Sequence, residues 1–366
     1  MSRASLVIPF ACALTLWAIP GGSASAQPVA CGQVITEDTT LESDLTCNHA
    51  YGGLVIGAPG ITLDLGGHKL TSTVGVAIEN RGYDDVTIRN GSVSIDNEGI
   101  NFYGVSGARL QDLSITGLRR GIQVVDSDHV RVERNHIGDQ RIVFAGTDYS
   151  VVRDNTMIGG LEAGVVITGT HNRIVDNLIR IDYEGVVLWL RGSDHTLVSR
   201  NVLDSGRGPN LSLSNADDNR IVDNTMTSHD PQWRGWGVWV TDSNRNAILR
   251  NEVTGTEAGV RVISGADNTI ARNHATNGTR GYELHVEPDG FLVEAAATGT
   301  LLYRNLALGW EDDGIDVDAP GTLLRRNTAI GNADLGIEAV PGIIDLGRNR
   351  AGGNGNPFQC LNVVCR

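Results

Sequence analysis

The sequence predicts an all-β protein, a single-stranded right-handed parallel β-helix of about 12–13 turns. Three observations carry this. A short phrase ending in asparagine recurs along the chain, as in Asn172-Arg-Ile-Val-Asp-Asn177, Asn219-Arg-Ile-Val-Asp-Asn224 and Asn246-Ala-Ile-Leu-Arg-Asn251. A second phrase follows about ten residues later: glycine, apolar, any residue, apolar, as in Gly121-Ile-Gln-Val, Gly237-Val-Trp-Val and Gly259-Val-Arg-Val. Both phrases alternate with the period of a strand, and no segment shows the period of a helix.

The last polar residue of the first phrase falls at Asn90, Asp112, Asn135, Asn155, Asn177, Asn201, Asn224, Asn251, Asn273, Asn305, Asn327 and Asn349. Most steps are 20–24 residues; those from 224 to 251 and from 273 to 305 are longer. A turn of that length holds two or three short strands. Stacking such turns about 4.8 Å apart forms columns of apolar side chains inside the solenoid. Asparagines in register can hydrogen-bond from turn to turn, so this column reads as structure rather than chemistry. A leucine-rich repeat has a similar period but needs a leucine-rich phrase, whereas the apolar positions here mix Val, Ile and Leu.

From the N-terminus, Arg3 precedes an apolar run from Leu6 to Ile19, then Pro20-Gly21-Gly22 and Ala24-Ser25-Ala26. This reads as a signal peptide over residues 1–26, which makes the protein periplasmic or secreted. No later segment is long and apolar enough to cross a bilayer. Residues 27–49 are expected to form an N-terminal cap, 50–350 the β-helix and 351–366 a C-terminal cap. With Cys12 removed in the signal, Cys31, Cys47, Cys360 and Cys365 remain. An even number in an exported chain favours disulfides, and pairing 31 with 47 and 360 with 365 is the simplest of three connectivities.

The net charge of −14 argues against a nucleic-acid partner, because such a surface cannot release phosphate counterions. Of the 29 basic residues only Lys69 is lysine. The nine histidines are scattered singly, among them His129, His171 and His195, with no strand face offering metal spacing.

Outward residues of successive glycine phrases should stand side by side on one sheet. Aligning the phrases gives a first column containing Val166, Val187, Ser212, Trp239, Arg261, Glu283, Asp316 and Glu338, and a second containing Trp189, Ser214, Thr241, His285 and Asp318. The N-terminal half of this face is bland; from Trp189 onward it turns aromatic and charged. Both long turns border the changed region. One holds Trp233, Trp236 and Trp239; the other runs from Glu283 to Arg304. Loops leaving a solenoid on one side commonly wall a cleft. Tryptophans there would stack on sugar rings. Adjacent acids raise one another's pKa, which suits a general acid and a general base. The expected catalytic set is His285, Arg261, Glu283 and Asp316, with Trp189, Trp233, Trp236, Trp239 and Asp318 binding substrate.

The repeats over residues 50–350 resemble the right-handed parallel β-helix proteins. That superfamily includes pectate lyases, polygalacturonases, alginate lyases and epimerases, and the periplasmic β-helix proteins that help mature the copper sites of nitrous oxide reductase. The ends resemble an exported bacterial subgroup of mostly unassigned function. The resemblance implies a polysaccharide partner and a polysaccharide lyase or related carbohydrate-active enzyme, acting as a monomer. The alternative is a non-catalytic carbohydrate-binding or envelope-associated scaffold. Pectate lyases bind Ca²⁺ through carboxylates, so the resemblance offers Asp312 and Asp313 as Ca²⁺ ligands; no other cofactor is expected. The chain departs from several family patterns. It lacks the Gly-His-Gly and Arg-Ile-Lys elements of polygalacturonases, and His229-Asp230-Pro231 reverses the epimerase order Asp-Pro-His. Lys69 lies too far away to make a Lys–Arg lyase pair.

Overall fold

A computed structural model describes residues 28–48, 52–117, 120–139, 141–160, 163–232, 234–280 and 288–366. The expected signal peptide lies outside the described residues. Those described form a right-handed parallel β-solenoid of about thirteen turns, with no helix among them. None therefore offers a helix long and apolar enough to cross a membrane.

Each turn contributes one strand to a long front sheet. Fourteen parallel strands build this sheet, from Val34–Ile35 to Ile337–Ala339. The remaining strands stack in two further ladders that meet at a tight corner, as where Leu197–Ser199 is followed by Val202–Ser205. Pairing starts earlier than residue 50, because Val34–Ile35 already pairs with Leu54–Ile56. At the other end Arg350–Gly352 pairs with Thr328–Ile330. Cys31 bonds Cys47 and Cys360 bonds Cys365, which ties down the two terminal segments.

The alternation of the glycine phrases produces the core directly. Ile100, Ile122, Ile142, Val165, Leu188, Leu211, Val238, Val260, Phe291, Ile315 and Ile337 stand in one fully buried column. The glycine opening each phrase is needed for space. A Cβ on Gly259 would lie 2.2 Å from the Gly290 carbonyl oxygen, and one on Gly290 would lie 2.5 Å from that of Gly314.

The asparagine column is a buried ladder. At each step the next asparagine's Oδ1 accepts from the backbone N–H of the one before, in an unbroken series from Asn135 to Asn349. The residue preceding each asparagine takes a left-handed conformation, φ 53–64° from Arg134 to Arg348, and turns the corner. Without a side-chain acceptor, the amide following that corner would be buried unpaired. Asn90 and Asp112 differ from expectation: both occupy the left-handed corner position themselves, at φ 57° and 55°. Gly91 and Leu113 stand in the ladder position, and the Leu113 N–H donates to Asn135.

Candidate functional site

Both long turns leave the solenoid at the corner that leads into the front sheet. They span Ser228 to Val238 and Thr276 to Phe291. Backbone bonds from Gly237 to Ala258, Gly259 to Asp289, Gly290 to Asp313 and Gly314 to Leu335 fix a column there. It reads Trp236, Ala258, Asp289, Asp313, Leu335. Strand register fixes the outward column beside it: Trp189, Ser212, Trp239, Arg261, Leu292, Asp316, Glu338.

This register corrects the expected columns at two places. Val187 is fully buried, and Trp189 takes the outward position instead, because Val165 pairs with Leu188 and Val166 with Trp189. In the second long turn the strand that pairs is Phe291–Thr298, so Leu292 stands between Arg261 and Asp316 where Glu283 was expected. The neighbour of Asp318 expected at His285 is displaced likewise, since Val293 pairs with Val317 and Glu294 follows Val293. Glu283, His285 and Trp233 themselves lie outside the described residues.

The tryptophans form a platform. The Trp236 and Trp239 ring centroids are 4.6 Å apart, with the planes tilted by 59°. Arg261 lies over the Trp239 ring at 4.9 Å, and its Nε donates to Glu294 Oε1 at 2.5 Å. The guanidinium is thus held by a carboxylate and a ring face, which suits orienting a ligand better than taking up a proton. Trp189 stands two turns from Trp239, its Nε1 donating to Ser214 Oγ at 3.3 Å. Asp318 is exposed at the sheet edge.

Beyond Arg261 the column becomes acidic. Asp289, Asp313 and Asp316 are 1%, 4% and 9% exposed. The Asp313 N–H donates to Asp289 Oδ1 at 3.0 Å, and the Leu335 N–H donates to Asp313 Oδ1 at 2.6 Å. Asp289 Oδ2 is buried without a hydrogen-bond partner among the described residues. Burial, then the charges of Asp316 and Asp313, push the Asp289 carboxyl well above the ordinary carboxylate range. Burial also pushes Asp313 up, to about 8, against the Leu335 bond; a hydrogen bond with Glu338 and the charge of Asp312 add to the rise. Asp313 therefore keeps its proton to about pH 8, in a hydrogen bond with Glu338.

The sign of the linkage follows. A carboxyl whose folded pKa exceeds its unfolded value leaves stability intact below about pH 4 and drains it as pH rises toward 8. Asp313→Asn keeps the Oδ1 acceptor for Leu335 and removes the titration. In metal-free buffer, melting curves from pH 5 to 9 should show the wild type losing about 1–3 kcal/mol more than this variant. Parallel pH profiles would refute the raised Asp313 carboxyl.

Asp312, Asp313 and Asp334 place ligand oxygens within 4.8 Å of one another, and no other set of three such side chains does so among the described residues. All are hard oxygen donors, the type Ca²⁺ takes. Elsewhere, His129, Tyr149, His171 and His195 stack on successive turns with centroids 5.5, 4.8 and 4.9 Å apart, a column that residue spacing did not reveal. Imidazole lone pairs lie in the ring plane, so stacked rings do not converge on one ion.

Asp289 and Glu294 escaped the sequence reading of this site, although a signal for both existed. Asp289-Gly290-Phe291-Leu292-Val293 copies the phrase Asp313-Gly314-Ile315-Asp316-Val317. It competes with Gly281-Tyr282-Glu283-Leu284, eight to nine residues earlier, which alternates equally well.

The family model of the periplasmic copper-binding protein NosD matches residues 60–234, and the model of the right handed beta helix region matches residues 184–356. No curated protein matches the chain. Among solved structures, the periplasmic alginate epimerase AlgG is similar at 11% identity, with 76% of this chain and 78% of that chain covered and a TM-score of 0.57. PfbA, a surface adhesin of Streptococcus pneumoniae, is similar at 9% identity over 81% of this chain and 85% of that one, with a TM-score of 0.55. Tailspike protein 3 of bacteriophage CBA120 is similar at 11% identity over 90% and 57%, with a TM-score of 0.53. At these identities the likeness is one of fold. Tandem family matches, the asparagine ladder and the parallel front sheet agree: the chain is a right-handed parallel β-helix repeat protein.

Proposed function

We propose that this is an extracytoplasmic polysaccharide-acting protein, a lyase-type or related carbohydrate-active enzyme, with its sugar chain laid along the front sheet from Trp239 to Glu338. One observation carries the reading: two buried carboxyls pushed above the ordinary carboxylate range, Asp289 and Asp313, lie two to three turns from a tryptophan platform. Tryptophan faces bind sugar rings through apolar contact, and the turn spacing of about 4.8 Å places successive sugars over successive turns. The two disulfides and the match to a periplasmic family support the location. The similarity to an alginate epimerase and a surface adhesin supports a carbohydrate role.

In the elimination that a lyase performs, the Glu338 carboxylate would take the proton beside the sugar's carboxylate group. The electron pair forms the ring double bond, the glycosidic C–O bond breaks, and Asp313 gives its proton to the departing oxygen. Arg261 would orient the substrate carboxylate. His285 and Glu283 remain proposed members of the site.

A second reading has its own support. Asp312, Asp313 and Asp334 are spaced to share Ca²⁺, which would displace the proton of Asp313 and leave it a ligand instead of an acid. A screen of uronate-containing and neutral polysaccharides separates the cases, reading unsaturated product by ultraviolet absorbance and reducing ends chemically. Unsaturated product in the presence of EDTA is expected. Turnover that needs added Ca²⁺ would make the acids ligands. Reducing ends without unsaturation would make the enzyme a hydrolase. Binding without any turnover would make the protein a scaffold.

A further inference from the structure

The corner between the two back ladders carries one left-handed residue per turn, and its charges change character along the solenoid. From Asp112 to Arg250 the position reads Asp, Arg, Asp, Asp, Arg, Asp, Arg, and each arginine pairs with the acid one turn earlier. Arg134 donates to Asp112, Arg200 to Asp176 and Arg250 to Asp223, at 2.7–2.9 Å. Beyond Arg250 the same position reads Arg272, Arg304, Arg326 and Arg348 on four consecutive turns. Backbone bonds from Arg272 to Tyr303, Arg304 to Arg325 and Arg326 to Gly347 hold these corners one above another. None of the four has an ion pair among the described residues. Asp345, close in sequence, accepts from Gly347, Asn349 and Val364 instead. Arg272, Arg304 and Arg348 are exposed, and Arg326 is half-buried.

Four like charges one strand spacing apart, about 4.8 Å, repel one another. They do so on a protein of net charge −14 that balances the same column elsewhere. We infer that Arg272, Arg304, Arg326 and Arg348 form a linear anion-binding strip for a single extended chain of a uronate-type polysaccharide, running along the solenoid axis. Guanidinium forks match carboxylates two-pronged, and the turn spacing is close to one sugar residue of an extended chain. The strip is one residue wide. A single polysaccharide chain can lie on it within a Debye length of about 8 Å, which a DNA duplex or a bilayer, being wider, would overhang. The preference for polysaccharide over these wider polyanions rests on the function proposed above; the strip itself does not. It lies across a back ladder from the carboxyl site, because His274–Thr276 and Leu306–Leu308 separate the two corners.

The test measures affinity for polygalacturonate and its short oligomers by affinity electrophoresis and interferometry, at two salt concentrations. Dextran, duplex DNA and phosphatidylglycerol vesicles serve as comparisons. The variant in which all four arginines are glutamine should lose at least tenfold in affinity for the tetramer and flatten the salt dependence. Arg200→Gln, from the paired stretch of the same column, should change neither, and Asp313→Asn should stop turnover without weakening the strip. Unchanged binding by the fourfold variant overturns the strip even if turnover persists. Tighter wild-type binding to DNA or vesicles than to polygalacturonate overturns the choice of partner. A wild type that binds through the strip without turnover leaves the strip standing and sinks only the enzymatic reading. If the fourfold variant does not fold, Arg304→Gln with Arg326→Gln should still show a threefold loss.

Discussion

Asp313→Asn should lower turnover about 10²–10⁴-fold while leaving the fold intact and substrate affinity nearly unchanged. The substitution is nearly isosteric. Its amide oxygen can still accept from the Leu335 N–H, and its amide nitrogen can donate to Glu338 where the Asp313 proton lay. What is lost is a proton that can be transferred. Glu338→Gln removes the other half of the pair and should cost a similar factor. The double variant should be little worse than either single one, because two groups acting as one unit are not additive. The pH profile supplies a second readout. Wild-type turnover should fall as pH rises through about 8, where Asp313 loses its proton. Full activity in Asp313→Asn would remove this carboxyl from the chemistry, whatever the substrate.

Asn224→Ala should be the most destabilising single substitution away from the site, by about 3–5 kcal/mol and about 5–15 °C in melting temperature. Asn224 is almost wholly buried, and its side chain makes four bonds. Its Oδ1 accepts from the Asn201 backbone N–H and from Asn201 Nδ2, and its Nδ2 donates to the Val198 carbonyl and to Asn251 Oδ1. Alanine leaves the Asn201 amide and the Val198 carbonyl buried with no route to water. The neighbouring Asp223 is a control. It pairs with Arg250 on the surface, where such pairs contribute up to about 1 kcal/mol, so Asp223→Ala should shift melting only slightly. Equal shifts for the two variants would show that the ladder is not what holds the turns in register.

Most of the fold was legible in the sequence because a solenoid's long-range contacts recur at a nearly fixed separation. Val238 meets Val260, and Asn224 meets Asn251, each one turn away along the chain. A contact at constant spacing appears in sequence as a repeated phrase, and the phrase states both strand and packing. The glycines, the apolar alternation and the asparagines therefore specified fold, core and ladder without coordinates. Local pairing of the cysteines was legible for a similar reason, since each pair closes a short loop within a terminal segment.

The candidate site was legible only where the repeat stayed regular. Trp239, Arg261, Asp316 and Glu338 were placed correctly because a strict phrase contains each of them. Where the repeat stretched, alternation ceased to decide. A strand pattern distinguishes two faces but is unchanged by a slip of two residues, so Val187 and Trp189 were equivalent until the pairing of Val166 with Trp189 chose between them. The glycines at 281 and 290 presented the same ambiguity, and the pairing of Phe291 with both Val260 and Ile315 resolved it. By itself the sequence determined a right-handed stack of turns and an outward row that becomes aromatic and acidic. Only the tertiary structure decided that Asp289 and Asp313 are buried, that Asp313 is pushed up beside Glu338, and that four arginines without an ion pair among the described residues stand in file at a far corner. Burial and charge pairing depend on what the turns above and below contribute, and a one-dimensional pattern leaves those neighbours undefined wherever its period breaks.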